Sequence, residues 1–389
     1  MEEFSFARQP ILDSSLKLFA YEFLYRPTNT SDNRPLSLTS VVLTTAIIDI
    51  GLDKASNNHL AFINMSYEDL MGEHIEALPA DRFILELLED IKPDQTLNNR
   101  VKALVEKGYS FALDDFVYSP DWDPLIELAD IIKLDLTITT LAENKTLISQ
   151  LKGKKLRFLA EKVETHQEYE DYKSIGCDLF QGYFFCRPEK ISGTAISEAS
   201  FAKTELIARV NQSDISINEL QNTIQQDPAL TYKLIKYLNS AYFSFSTPIG
   251  TIKHAITILG MDGIKKWATI LCLRSLSTKP LELIRVGLVR AKLAELIAIK
   301  NNENNPNSYF LMGMLSIVDS LLNSSMEDAI KTLPLAAGII NALLNKSGDM
   351  GQVLTSIIEH EQQLAVPTSN ISDTYIEACL WADQISNSI

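Results

Sequence analysis

At 389 residues the chain is too long for one ordinary hydrophobic core, so two domains are expected. Hydrophobic residues at 46% and charged residues at 22% place it among globular proteins, and a formal charge of -15 excludes wrapping of long nucleic acid on a basic surface. The acidic start Met1-Glu2-Glu3 lacks the basic region of a signal peptide, and no apolar run approaches the ~20 residues of a membrane span, so a cytoplasmic protein without a membrane partner is expected.

In chain order, short runs rich in Ile, Leu or Phe occupy residues 19–25, 60–64, 82–86, 110–114, 131–135, 157–161 and 179–183. They read as strands buried on both faces, with helical patterns such as 96–107 and 167–174 between them. Such alternation means a parallel sheet, open or closed. Nearly every run carries a polar or charged residue at or near its end. In a (β/α)8 TIM-like barrel these ends converge on one mouth, whereas an open sheet would spread them along an edge. The barrel is therefore the expected fold, with Glu22, Asn64, Glu86, Asp114, Asp115, Lys133, Glu161 and Gln181 at its mouth.

The pattern changes near Arg187-Pro188. Residues 189–200 are small and polar and read as a linker between a barrel domain over 1–188 and an all-helical domain over 201–389. Ser216 and Glu219 have capping-box spacing, and Asp227-Pro228 fits an N-cap followed by proline at the first helical position. Further helices are expected at 252–260, 262–276, 281–300, 308–323, 326–345, 350–363 and 371–387. The cysteines Cys177, Cys186, Cys272 and Cys379 form no close pair and read as buried thiols, not as a zinc or redox site.

Glu22, Glu86, Asp114, Asp115 and Glu161 would bring five carboxylates to one mouth. Carboxylates that close raise one another's pKa, and divalent cations relieve the repulsion. Oxygen donors, Asn64 included, select Mg²⁺ or Mn²⁺, and two such ions suit hydrolysis of a phosphodiester. Lys133 would neutralise developing charge or hold a water.

The motifs around these residues resemble those of EAL-domain cyclic di-GMP phosphodiesterases. Tyr21-Glu-Phe-Leu-Tyr-Arg26 looks like the signature stretch with phenylalanine in place of alanine. Phe62-Ile-Asn64, Leu85-Glu-Leu-Leu-Glu89, Leu113-Asp-Asp-Phe116, Lys133-Leu-Asp135, Ala160-Glu-Lys-Val-Glu-Thr165 and Gln181-Gly-Tyr-Phe184 follow in the family's order, after an opening strand resembling Gln9-Pro-Ile11. The resemblance implies that Glu22, Asn64, Glu86 and Asp114 hold one Mg²⁺ or Mn²⁺ and Asp115 a second. It implies Glu161 as base or second-metal ligand and Lys133 as the residue that positions water. It places Gln9, Arg26 and Gln181 on the nucleotide, and Glu89 as a brace for the loop after the paired aspartates. Glu164 matches another family glutamate. The implied product is linear pGpG, and the family also implies a homodimer.

That loop departs from the family: Val117-Tyr-Ser-Pro-Asp-Trp-Asp-Pro124 has lost two glycines and gained two prolines. Valine and tyrosine rarely take positive φ, so the alternative is a cyclic di-GMP receptor or interaction scaffold without turnover. Phe23 should point to the opposite side of the strand from Glu22.

Residues 227–243 and 252–260 resemble the hallmark segments of HDOD domains, relatives of HD phosphohydrolases that have lost their metal ligands. Ser316 and Ile317 stand at the His-Asp positions, and isoleucine cannot ligate a metal. This half is expected to regulate through an unidentified protein partner. Tyr232, Tyr237, Tyr242 and Phe243 are expected mainly in its core, and His254 as a structural residue.

Overall fold

Only Ser14 to Lys17 separate strand β1 (Phe4–Asp13) from β2 (Leu18–Pro27). So short a connection makes a hairpin and cannot cross over to a parallel neighbour. Asp13 builds the turn, its Oδ1 accepting from Ser15 N at 2.7 Å and Lys17 N at 3.0 Å, while Leu16 takes a left-handed φ of 59°. The two strands therefore run antiparallel, with Gln9 opposite Glu22.

The other strands are β3 (Leu60–Met65), β4 (Phe83–Leu87), β5 (Ser110–Leu113), β6 (Ile131–Asp135), β7 (Arg157–Glu161) and β8 (Leu179–Gln181). From β2 onward each pairs parallel with the next, and β8 closes the barrel against β1. The closed eight-stranded barrel is the expected fold, with its first strand reversed. The computed structural model describes residues 4–27, 51–72, 75–76, 78–187, 198–212, 214–240, 243, 245, 248–276, 279–331, 333, 335–362 and 369–387.

Crossover helices return the chain to the start of each strand, and their caps are written locally. Asp94 caps Gln95–Glu106 by accepting from Leu97 N at 2.7 Å. Thr140 with Glu143 and Thr165 with Glu168 form capping boxes on Leu141–Gln150 and His166–Ile175. Inside the barrel, Ile11, Ala20, Phe62, Ile84, Ala112, Ile131, Leu159 and Leu179 form one buried cluster, one residue from each strand. This apolar ring is the floor on which the site rests.

The change between two compact units falls between Phe185 and Cys186. Of the expected linker, residues 189–197 lie outside the described residues, and 198–200 already belong to helix Glu198–Val210. The second unit is helical. Ser216 and Glu219 cap Ile217–Gln225 as their spacing predicted, and Asp227 caps Pro228–Leu238. Ile252–Leu276 is broken at Gly260, whose φ of 75° is left-handed. The helix expected over 308–323 breaks into Pro306–Leu315 and Val318–Leu322, and that over 326–345 into Met326–Ile330 and Ala337–Asn345. Leu281–Lys300, Gly348–Glu361 and, from Asp373 on, helix Ser369–Ser386 complete it.

Tyr237 is buried against Trp267 and Phe243, but Tyr232, expected in the core, is 66% exposed. Its helix buries Leu230, Leu234, Tyr237 and Leu238; at about 100° per residue, position 232 lies well away from Leu230 and Leu234. Tyr242 lies outside the described residues. His254 is half-buried, its backbone N–H donating to Thr251 Oγ1. No described helix is long and apolar enough to cross a membrane.

Candidate functional site

Side chains of a strand face the barrel interior at every second position. Two residues from each member of the apolar ring, toward the C-terminal mouth of the parallel strands, stand Glu22, Asn64, Glu86, Asp114, Lys133, Glu161 and Gln181. On the reversed β1 the corresponding step runs backward, from Ile11 to Gln9. One period of alternation thus separates an apolar ring from a polar one, and every strand contributes to both. Asn64 and Glu86 are register partners on β3 and β4. Asp114 lies just past β5, where its backbone N–H continues the ladder to Leu87 O at 2.9 Å.

Lys133 sits at the centre. Its Nζ lies 2.5 Å from Glu86 Oε1, 2.7 Å from Asp114 Oδ1, 2.9 Å from Glu161 Oε1 and 3.6 Å from Glu22 Oε1. Its side chain is 1% exposed and that of Glu86 0%, so water screens this cluster little. Burial acts to lower the Lys133 pKa, but the surrounding carboxylates outweigh it and hold it well above the usual lysine value. Burial, reinforced by the other carboxylates, pushes Glu86 well above the ordinary carboxylate range despite the nearby ammonium. Glu161 is raised to about 8, chiefly by burial, with Lys133 opposing and Asp114 and Glu22 reinforcing. On the far side, Gln181 Nε2 donates to Glu22 Oε2 at 2.5 Å and Gln9 Oε1 at 2.9 Å.

Asp115 turns back over the mouth with a left-handed φ of 40°, which an aspartate tolerates better than most residues. Burial and its neighbour Asp114 raise it to about 6. One oxygen each from Asp114, Asp115 and Glu161 lie within 4.8 Å of one another, close enough to share a cation. Glu86 Oε2 is buried and receives no hydrogen bond among the described residues. Crowded oxygen donors, raised proton affinities and an undonated carboxylate oxygen fit a hard divalent cation.

The remaining expected residues are less central. The Arg26 side chain lies outside the described residues. Glu89 is exposed beyond β4 and makes no hydrogen bond or ion pair among the described residues, so the expected bracing contact is not seen there. Glu164 is also exposed. Phe23 is buried, next in sequence to Glu22 and so on the other side of β2. The altered loop avoids the conformational problem its composition posed: neither Val117 nor Tyr118 takes positive φ. Instead Pro120–Trp122 forms a short 3₁₀ turn, Asp123–Ile126 a helical turn, and Trp122 packs edge-on to Phe116 at 5.8 Å.

Two residues at the mouth had no role assigned from sequence. Asp135 lies two positions beyond Lys133 on the same face of β6, and its buried side chain forms an ion pair with Lys162. The period-two spacing of Ile131, Lys133 and Asp135 carried the signal for Asp135. Lys162, next after Glu161, takes a left-handed φ of 57°, which no motif announces.

A family profile described as the EAL domain matches residues 31–188, and one described as the HDOD domain matches residues 200–338. The chain is 36% identical over 362 residues to the uncharacterized protein YuxH of Bacillus subtilis, covering 90% of this chain and 88% of that protein. It is 29% identical over 402 residues to the cyclic di-GMP phosphodiesterase CdgJ of Vibrio cholerae, covering 98% and 93%. A standalone EAL protein from Vibrio cholerae, solved in a c-di-GMP bound form, is 22% identical and covers 48% of this chain and 93% of that one, with a TM-score of 0.36.

Proposed function

Because the chain belongs to the family in which an EAL domain is joined to an HDOD domain, we propose that its barrel hydrolyses cyclic di-GMP to linear pGpG, using Mg²⁺ or Mn²⁺. The observation that carries this reading is the polar ring, in which acidic oxygens from four strands crowd one buried ammonium. Nothing in folding calls for such a cluster, since buried like charges cost stability.

Glu22, Asn64, Glu86 and Asp114 would hold one cation, and Asp115, with Asp114 and Glu161, a second. Bound there, the cations would polarise a phosphate of the substrate and acidify the attacking water. Lys133 keeps its proton throughout and fixes Glu86, Asp114 and Glu161 in a common orientation. Glu161, with a high proton affinity and a place beside Asp114, is suited to take the proton from the water. In the net reaction water oxygen bonds to phosphorus, the bond from phosphorus to the 3′ oxygen breaks, and that oxygen gains a proton. Gln9 and Gln181, paired on the opposite side of the mouth, would contact the nucleotide. The helical domain would regulate this reaction, since Ser316 and Ile317 leave no metal-binding pair at the positions that matter.

A receptor without turnover is the second reading, and the rebuilt loop from Val117 to Pro124 favours it. Incubation of the full chain with cyclic di-GMP and Mn²⁺, followed by chromatography, decides between them. Appearance of pGpG, abolished by chelation, supports hydrolysis. Calorimetric binding without product supports the receptor, and absence of both removes cyclic di-GMP as the ligand.

A further inference from the structure

Lys162 is an unexpected residue for its place. A non-glycine side chain at φ 57° carries conformational strain, and such strain persists only where the surroundings impose it. The turn after Glu161 is held on three sides. Val163 N donates to Gln181 O at 3.0 Å, and Phe184 N donates to Val163 O at 3.2 Å. Gly182 packs so closely that a Cβ there would lie 2.1 Å from Val163 O. The backbone is therefore fixed by β8, and a glycine at 162 would satisfy it with less strain. What lysine adds is its charge.

That charge is engaged. The Lys162 ammonium pairs with Asp135, whose side chain is 0% exposed, although the lysine itself is 56% exposed. The other Asp135 oxygen accepts from Thr137 N at 2.6 Å and Thr137 Oγ1 at 2.7 Å. Both Asp135 oxygens are thus engaged within the chain, while the charge of Lys162 is felt at Asp115 and Glu161.

Charge balance at the mouth gives this a purpose. Among the described residues, Glu22, Glu86, Asp114, Asp115, Asp135 and Glu161 face only Lys133 and Lys162 there. Fully ionised, the set carries four uncompensated negative charges, which two divalent cations would neutralise. Without Lys162 the filled mouth would stay negative and repel an anionic diester. We propose that Lys162 is a positioning residue: it withdraws Asp135 from the cation-binding set and brings the cation-loaded mouth to neutrality for an anionic phosphodiester. The proposal rests on the function argued above.

The test is titration of the full chain with Mn²⁺ alone, followed by calorimetry or by the paramagnetic resonance of free Mn²⁺. Lys162→Met and Lys162→Gly should each tighten Mn²⁺ binding by about threefold to tenfold, and Lys162→Arg should stay within about twofold of wild type. In steady-state assays with saturating Mn²⁺, Met and Gly should raise KM for cyclic di-GMP about tenfold with a smaller change in kcat, and Arg should restore it. The glycine variant matters most, because it relieves the backbone while deleting the charge. If it binds Mn²⁺ like wild type, Lys162 serves only the backbone and the proposal is overturned. If wild type itself binds no Mn²⁺, the metal-dependent function falls and the Lys162 proposal with it.

Discussion

Both units of this protein bury charge, and they do so on opposite terms. In the helical unit, Arg290 meets Glu361 through several hydrogen bonds of 2.8 to 3.1 Å, and Arg285 meets Asp383 at 2.6 Å and Glu282 at 3.0 Å. Two guanidinium groups there serve three carboxylates, with planar forks matched to their partners. At the barrel mouth, among the described residues, two ammonium groups serve six carboxylates, and Lys133 alone has three within 2.9 Å. The helical pairs are nearly closed within the chain. The barrel set is an open account, and an open account of this sign asks for cations from outside. Burial alone does not mark a functional site; uncompensated burial does.

The largest expected effect tests that contrast at Glu161. Glu161→Gln should lower turnover about a thousandfold through loss of the proton acceptor. The same substitution should raise the melting temperature of the chelated protein at neutral pH, because the amide is neutral in both states whereas folding must hold Glu161 protonated against its ionisation in the unfolded chain. A functional carboxylate gives these opposite signs; a structural one would lose stability instead. Calorimetric melting in EDTA beside a product assay reads both.

Arg290 supplies the converse. Arg290→Met leaves the buried Glu361 carboxylate without its guanidinium and should cost about 3–5 kcal/mol in urea unfolding of the helical unit. The double variant Arg290→Met with Glu361→Leu should recover most of that loss, since a buried pair can be replaced by apolar packing. Failure of the double variant to recover would mean that the pair does more than close the core. Ser316 Oγ also accepts from Arg290 Nη1, at 3.3 Å.

A pH series should separate the units next. In the folded barrel Asp115 is raised to about 6 and Glu161 to about 8, both above their unfolded values of 3.8 and 4.5. Folding therefore favours their protonated forms. The stabilisation is complete below the unfolded values and is lost as pH rises through about 6 and then about 8. The chelated protein should melt progressively lower from pH 5 to pH 9, and saturating Mn²⁺ should flatten the trend. A melting temperature in EDTA that rises over this interval would contradict the assigned burial of these acids.

Much of this site could be read from the letters because a strand buried on both faces displays its period plainly. Ala112 to Asp114, Ile131 to Lys133 and Leu159 to Glu161 each step from apolar floor to polar mouth in two residues, and that spacing survives in sequence. The reversed first strand was harder to see, because it depends on the brevity of the Ser14 to Lys17 turn and not on composition. Lys162 was hidden because a left-handed lysine looks like any other lysine. Tyr232 was placed wrongly because a helix with several aromatic residues does not tell, letter by letter, which of them faces out.

The smallest effect concerns the loop over residues 117–124. Its solution is packing: Trp122 lies edge-on to Phe116, and Phe116 N donates to Lys133 O at 3.1 Å. The aromatic pair therefore rests one backbone hydrogen bond away from the lysine at the centre of the mouth. Trp122→Ala should cost about 0.5–1.5 kcal/mol of stability, the usual worth of such a pair. If the loop still shapes the site, turnover should fall about threefold to tenfold, a loss of the same size in free energy, while Mn²⁺ affinity stays unchanged because no ligand is touched. Trp122→Phe should recover both. A stability loss with no change in turnover would separate the loop from the chemistry and leave the polar ring to act alone.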